Sequence, residues 1–168
     1  MVSYLRLHFT VNGTPQALRI PANTLLLDLL RDRIGLKGAK VGCSRGVCGA
    51  CTVLVDGQPV AGCSTFAFQA QGAMVETIEG LARDGALHPV QQAFIDHAAL
   101  QCGYCTAGMI LLAKALLAHD PDPDRATIVE WLSSNVCRCT GYQLIVEAVE
   151  DAARRMRQAA QDDPGAEA

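Results

Sequence analysis

The sequence predicts an α+β chain built of two successive parts, a small sheet carrying one helix and then a set of four helices. Two observations carry this expectation. Apolar residues recur at every second position near the N-terminus and switch to a period of 3.6 from about residue 89. The 8 cysteines fall into two groups of four, one in each part, with none left over. The boundaries that follow are 1–79 for the first part, 80–160 for the second and 161–168 for a polar, frayed C-terminal tail.

Residues 4 to 11 alternate, with Leu5, Leu7, Phe9 and Val11 on one face and Tyr4, Arg6, His8 and Thr10 on the other. This is a half-buried strand, with His8 on its solvent face. Asn12-Gly13 marks a tight turn, and residues 16 to 20 return as a second strand. A helix follows Pro21, capped by Asn23 or Thr24, with Leu25, Leu26, Leu29 and Leu30 as its apolar face and Gly35 as its stop. Residues 52–55 and 59–62 are short strands joined by Asp56-Gly57, and 74–78 is a last strand. Hairpin, helix, cysteine loop, hairpin, strand is the order of a β-grasp, plant-type ferredoxin-like fold.

The loop between that helix and the second hairpin holds Cys43, Cys48 and Cys51 at the spacing C-x4-C-x2-C, and Cys63 follows at the hairpin's end. Four thiolates at this spacing suit a plant-type [2Fe–2S] site. Gly42, Gly46 and Gly49 let the loop wrap closely, with positive φ where needed, and aim backbone N–H groups at the sulfurs. A structural zinc loop or disulfides are the alternatives. Zinc knuckles prefer paired C-x2-C units, which the x4 gap does not supply.

Residues 79 to 87 read as a connector. Pro89 opens a helix with Val90, Ala93, Phe94 and Ala98 on one face, ending near Gln101. Cys102-Gly-Tyr-Cys105 precedes a second helix, capped by Thr106, whose buried stripe is Met109, Ile110, Leu112, Ala113, Leu116 and Leu117. Asp124 caps a third helix carrying Ile128, Val129, Trp131 and Leu132. Cys137-Arg-Cys139 leads to a fourth, residues 142 to 157, with Ile145, Val146, Val149 and Ala153 on its apolar face. Four helices with short links imply a four-helix bundle. Its cysteine pairs lie in the turns, at helix N-termini that favour thiolates. Cys102, Cys105, Cys137 and Cys139 form a second four-thiolate site, for which spacing alone leaves zinc and iron–sulfur equally open. Trp131 and Met109 are read as core, and His88, His97 and His119 as structural.

Half the residues are apolar, enough for a core. The net charge of −3 and the lack of a basic block argue against nucleic acid as a partner. No apolar run is long enough to span a bilayer, and Met-Val-Ser-Tyr-Leu-Arg carries no signal-peptide pattern, so a cytoplasmic protein is expected. Cysteines without such a signal favour metal or redox roles over disulfides.

Three stretches then resemble one family. Val-Gly-Cys43-Ser-Arg-Gly-Val-Cys48-Gly-Ala-Cys51, Gln101-Cys102-Gly-Tyr-Cys105-Thr-Ala-Gly-Met109 and Cys137-Arg-Cys139-Thr-Gly-Tyr142 are similar to the motifs of the iron–sulfur small subunit of three-subunit bacterial molybdenum hydroxylases, the xanthine oxidase family. The resemblance runs from about residue 4 to about residue 157 and implies [2Fe–2S] at both sites. It implies electron transfer on this chain, from a molybdopterin dinucleotide (Mo) on a large subunit to FAD on a medium subunit, with no substrate chemistry of its own. It further implies a dimer of heterotrimers, and pterin contact through Gln101 and Cys139. The second site would lie nearer molybdenum and the first nearer the flavin.

There are departures: Ala107 where proline is usual, Ser134 where glycine is usual, and Arg45 where an acidic or neutral residue is common. Arg45 would either raise the first site's potential, contact the medium subunit or stand as a solvated loop charge. The run Leu-Leu-Leu-Asp-Leu-Leu-Arg31 with Gly35-Leu-Lys-Gly resembles the branch acting on aromatic or N-heterocyclic substrates. Carbon monoxide, aldehyde or aryl-CoA enzymes of the family are the alternatives. A free-standing two-cluster ferredoxin and a non-redox zinc scaffold are the competing functions.

Overall fold

The computed structural model describes residues 3–162. Strands β1 (Tyr4–Val11) and β2 (Thr14–Pro21) pair antiparallel over their full length, with Tyr4 opposite Pro21 and Val11 opposite Thr14. Asn12 and Gly13 turn between them at φ 48° and 79°, the doubly left-handed turn that matches strand twist. Strands β3 (Thr52–Val55), β4 (Gln58–Ala61) and β5 (Met74–Glu76) complete a five-stranded sheet in the order β2-β1-β5-β3-β4. β5 lies parallel to β1 and antiparallel to β3. The alternation of β1 holds, with Leu7, Phe9 and Val11 buried and His8 exposed.

The helix after β2 departs from expectation at its start. α1 (Leu26–Asp28) is capped by Leu25, not by Asn23 or Thr24, and widens into a π-helix over Leu29–Ile34 before closing on Gly35 at φ 91°. Thr24 spends its hydroxyl on the Pro21 carbonyl, at 2.8 Å. The first helical N–H groups are satisfied from elsewhere: Leu26 donates to Thr65 O at 2.8 Å and Leu27 to Gly62 O at 3.0 Å. A distant main chain thus replaces the capping side chain. β4 begins and ends one residue earlier than predicted. β5 stops at Glu76, where Thr77 turns inward to Asn12 and a 3-10 turn, Ile78–Gly80, begins.

The second part holds α2 (Pro89–Asp96), α3 (Thr106–His119), α4 (Arg125–Leu132) and α5 (Gln143–Asp162). α2 packs on α3 and α5, and α4 on α3 and α5. α2 ends five residues short of the predicted end. Ala98 there takes φ 47° and is exposed, and Ala99 is buried in its place. His88 caps α2 by accepting from the Val90 N–H, so its role is structural.

α3 is not a one-sided stripe: Ala107, Gly108, Leu111 and Ala115 are buried as well, because β3 covers the side that the other helices leave open. Cys105, not Thr106, precedes its first turn without a side-chain cap. In α4, Asp124 caps as predicted, but Val129 is 50% exposed. Trp131 is half-buried, donating to Leu112 O at 3.1 Å. α5 runs through Asp162, so the predicted tail is helical at 161 and 162; its remaining residues lie outside the described ones.

Two apolar clusters result, one between the sheet and α1, the other among α2–α5. Adjacent residues of β3 serve both: Val53 points into the first and Leu54 into the second, as strand alternation requires. The second cluster also shelters a carboxylate. Asp151, 5% exposed, meets Arg155 at 2.5 Å, His97 at 3.2 Å and Arg154. Burial pushes this carboxyl up, but the hydrogen bonds from Arg155 and His97 outweigh it and hold it below the usual range. A depressed carboxylate contributes stability above its unfolded pKa of about 3.9 and loses it as pH falls through the folded value. Asp151→Ala should therefore cost about 2 kcal/mol at pH 7, discounted for the exposed arginines, and the loss should vanish in acid. Urea melts of both chains at neutral and acidic pH check this, and an equal difference at both would refute it.

Candidate functional site

The loop that carries the first three cysteines is closed by its own main chain. Lys40 donates to Ala50 O at 2.9 Å, and Arg31 reaches across to the carbonyls of Lys37 and Ala39 at 2.9 and 2.6 Å. Backbone N–H groups then point at sulfur: Val47 and Cys48 to Cys43 at 3.3 and 3.4 Å, Gly46 to Cys63 at 3.3 Å, Cys43 to Cys48 at 3.4 Å. Gly46 and Gly49 take positive φ, 72° and 68°. Gly42 does not; its use is close approach, since a Cβ there would stand 2.6 Å from the Cys48 sulfur. Those N–H groups, first from Val47 and then from Arg45, pull the Cys43 thiol down to about 6. Burial pushes Cys51, which faces Cys63, up to about 11.

The second group assembles from two turns far apart in sequence. Cys102 and Cys139 face each other at 3.6 Å and are exposed. Cys105 faces Cys137, and burial pushes Cys105 up to about 12. Burial acts the same way on Cys137, yet the hydroxyl and N–H of Thr140, at 3.1 and 3.5 Å from its sulfur, bring it below its ordinary value. The Tyr142 hydroxyl accepts from the Cys137 N–H at 2.7 Å and donates to Asn135 O at 3.2 Å. The sequence places Tyr142 in the third motif and at a helix start, and the bonds of its hydroxyl to the Cys137 N–H and the Asn135 carbonyl are what the structure adds.

All eight cysteines are free. Thiols raised by burial stay neutral at pH 7 unless a cation compensates them. Combined with N–H groups already aimed at sulfur, this donor set suits a bound cationic group better than it suits apolar packing. Among the described residues, no three His, Cys, Asp or Glu side chains close around one point as a single metal ion would need. The thiols come as facing pairs, a spread that a two-iron group spans.

The two groups are neighbours. Cys43 and Cys48 line one cavity of about 250 Å³ together with Cys102, Cys105, Cys137 and Cys139. The parts close together through small residues. Gly49 leaves no room for a Cβ against the buried Asn135, and Gly108 of α3 has none against the Gly49 carbonyl. Asn135 and Thr52 contact each other at 3.3 Å beneath them. Neither Gly108 nor Asn135 stood out in the sequence, because the need for each arises from the other part. Gln101 is exposed beside Cys102. Arg45 is exposed, and Ser134 donates to Trp131 O at 3.0 Å.

Comparison with known proteins bears on this arrangement. Residues 9–78 match the model of the 2Fe-2S iron-sulfur cluster binding domain, and residues 77–150 that of the [2Fe-2S] binding domain. The fold is thus that of a two-site [2Fe–2S] protein. The chain is 49% identical to the 6-hydroxypseudooxynicotine dehydrogenase complex subunit beta of Paenarthrobacter nicotinovorans, over 88% of this chain and 92% of that one. It is 47% identical to the nicotinate dehydrogenase small FeS subunit of Eubacterium barkeri, over 90% and 96%. The crystal structure of quinoline 2-oxidoreductase from Pseudomonas putida 86 superposes with a TM-score of 0.88 at 44% identity, covering 92% of this chain and 97% of that chain. The chain belongs to the family of small iron–sulfur subunits of the molybdenum hydroxylases.

Proposed function

We propose that this chain relays electrons between a molybdenum centre on a large subunit and FAD on a medium subunit. The observation that carries the reading is the gathering of eight free cysteines as two four-thiol groups, six of the eight lining one shared cavity. Cys43, Cys48, Cys51 and Cys63 would hold one [2Fe–2S] cluster, and Cys102, Cys105, Cys137 and Cys139 the other. When bound, each cluster supplies a one-electron carrier. The chain holds the sulfurs, points N–H groups at them and buries Cys51, Cys63 and Cys137 away from water.

We read residues 1–79 as a β-grasp unit and 80–160 as a four-helix bundle, supported by the sheet order and by the paired packing of α2–α5. Gln101 and Cys139 are assigned to pterin contact on the family resemblance, and both are exposed, as such a contact requires. The dimer of heterotrimers rests on the family resemblance. Free thiols fit a reducing, cytoplasmic setting, and no helix among the described residues is long and apolar enough to cross a membrane.

The substrate class favoured is an N-heterocyclic aromatic, since similar proteins are named for nicotine, nicotinate, caffeine and quinoline. An aldehyde is the second reading, from 48% identity to the aldehyde oxidoreductase of Megalodesulfovibrio gigas, of which this chain spans 16%.

Iron analysis and EPR of the reduced complex test the assignment. About four irons per chain and two signals of different relaxation are expected; zinc, or a single signal, would overturn it. Thr140→Val removes a hydrogen bond to the Cys137 sulfur and so destabilises the more negative, reduced state. A fall of roughly 40 mV in the second site's potential is expected, the one-electron equivalent of ~1 kcal/mol. A redox titration followed by EPR reads it, and an unmoved potential would show that Thr140 does not tune this site.

A further inference from the structure

The two cysteine groups are joined by very few atoms. Val136, immediately before Cys137, donates its backbone N–H to the Cys48 carbonyl at 2.9 Å. Tyr104, immediately before Cys105, donates its hydroxyl to the carbonyl of Val41, at 2.6 Å, just ahead of Cys43. Both turns of the second part therefore rest on the first cysteine loop, each beside a cysteine. Neither side chain is there for burial: Tyr104 and Val136 are each 48% exposed. The cysteines are sorted along the same line. Cys43 and Cys48 face the shared cavity, whereas Cys51 and Cys63 are buried on the sheet side. Cys137 is buried, and Cys102 and Cys139 are exposed along the same cavity.

We propose that the hydrogen bond from the Val136 N–H to the Cys48 carbonyl is the bridge by which an electron passes between the two sites. Tyr104 is the positioning residue that keeps the loops at bridging distance. This rests on the reading that both groups hold [2Fe–2S] clusters. One electron crosses per step, oxidising one site as it reduces the other; no bond is made or broken and no proton moves. From the Cys48 sulfur the route follows that residue's own main chain, one hydrogen bond, then Val136 and Cys137 to the second sulfur. Every other link in it is covalent, so no jump across the open cavity is needed.

The test uses the assembled complex. Val136→Pro deletes the donor, Val136→Ala keeps it as the control, and Tyr104→Phe deletes only the hydroxyl. Three quantities are read: iron per chain, spin–spin splitting in EPR of the fully reduced complex, and the rate of equilibration between sites after flash photoreduction. Wild type and Val136→Ala should show the same splitting and rate. Val136→Pro and Tyr104→Phe, with full iron, should lose the resolved splitting and equilibrate more slowly. Full iron with unchanged splitting and rate in either variant overturns the proposal. Proline restrains the backbone of Asn135, so Val136→Pro can lose iron through misfolding; Tyr104→Phe then decides, with the same two outcomes. A wild-type complex with one signal or half the iron would sink the two-cluster reading itself and is distinguished by that count.

Discussion

Gly49→Ala should destabilise the chain by about 4 kcal/mol and strip iron from both sites. Three costs add at this position. The left-handed backbone, φ 68°, is worth ~1–2 kcal/mol against a residue with a Cβ. The methyl would fall inside the Asn135 amide, which is 3% exposed and has Thr52 as its neighbour. Forcing that amide out leaves buried polar atoms unpaired, at ~1–3 kcal/mol, and overpacks the space that the Asn135 side chain fills, at ~1–3 kcal/mol more. Gly57→Ala is the control: φ there is also positive, at 78°, but the surrounding space is open. It should lose only the backbone cost. Thermal melts and iron content of the two variants decide the matter. If they melt together, the contact between the parts contributes nothing.

Cys48→Ser should separate the two ends of the relay. It removes one ligand from the first site and leaves Cys102, Cys105, Cys137 and Cys139 untouched. In the assembled complex, substrate should still reduce molybdenum and the second site in a single turnover, while FAD reduction slows by orders of magnitude. Cys102→Ser should instead block reduction of both the first site and FAD. Stopped-flow spectra resolve these species. Fast flavin reduction in the Cys48 variant would mean that the first site is not an obligatory station.

What could be read from the sequence was whatever a short stretch decides alone. The alternation of β1 and the Asn12-Gly13 and Asp56-Gly57 turns are local, and they appear where expected. So is the α5 face of Ile145, Val146, Val149 and Ala153, all buried. The spacing within Cys43–Cys51, within Cys102–Cys105 and within Cys137–Cys139 is local too, whereas the meeting of the last two pairs, 37 residues apart, is not. The misses share a cause in distant contacts. The start of α1 is set by carbonyls of Gly62 and Thr65, which no capping rule on Asn23 or Thr24 can anticipate. α3 looked one-sided because the strand that covers its other face lies in the other part. His97 is structural, as the sequence suggests, but its partner, Asp151, lies 54 residues away, and nothing in the sequence singles that carboxylate out.

The split loyalty of β3 has a consequence for how the protein is made. Synthesis runs from the N-terminus, so the sheet and the first cysteine loop leave the ribosome before α3 exists. During that interval Val53 already has its core, but Leu54 faces water, because α3, which packs on β3 in the finished protein, has not yet been translated. A nascent chain paused in the connector therefore displays an apolar strand face that the finished protein hides. That face is the surface a chaperone would hold, and its disappearance marks the moment the second part has closed.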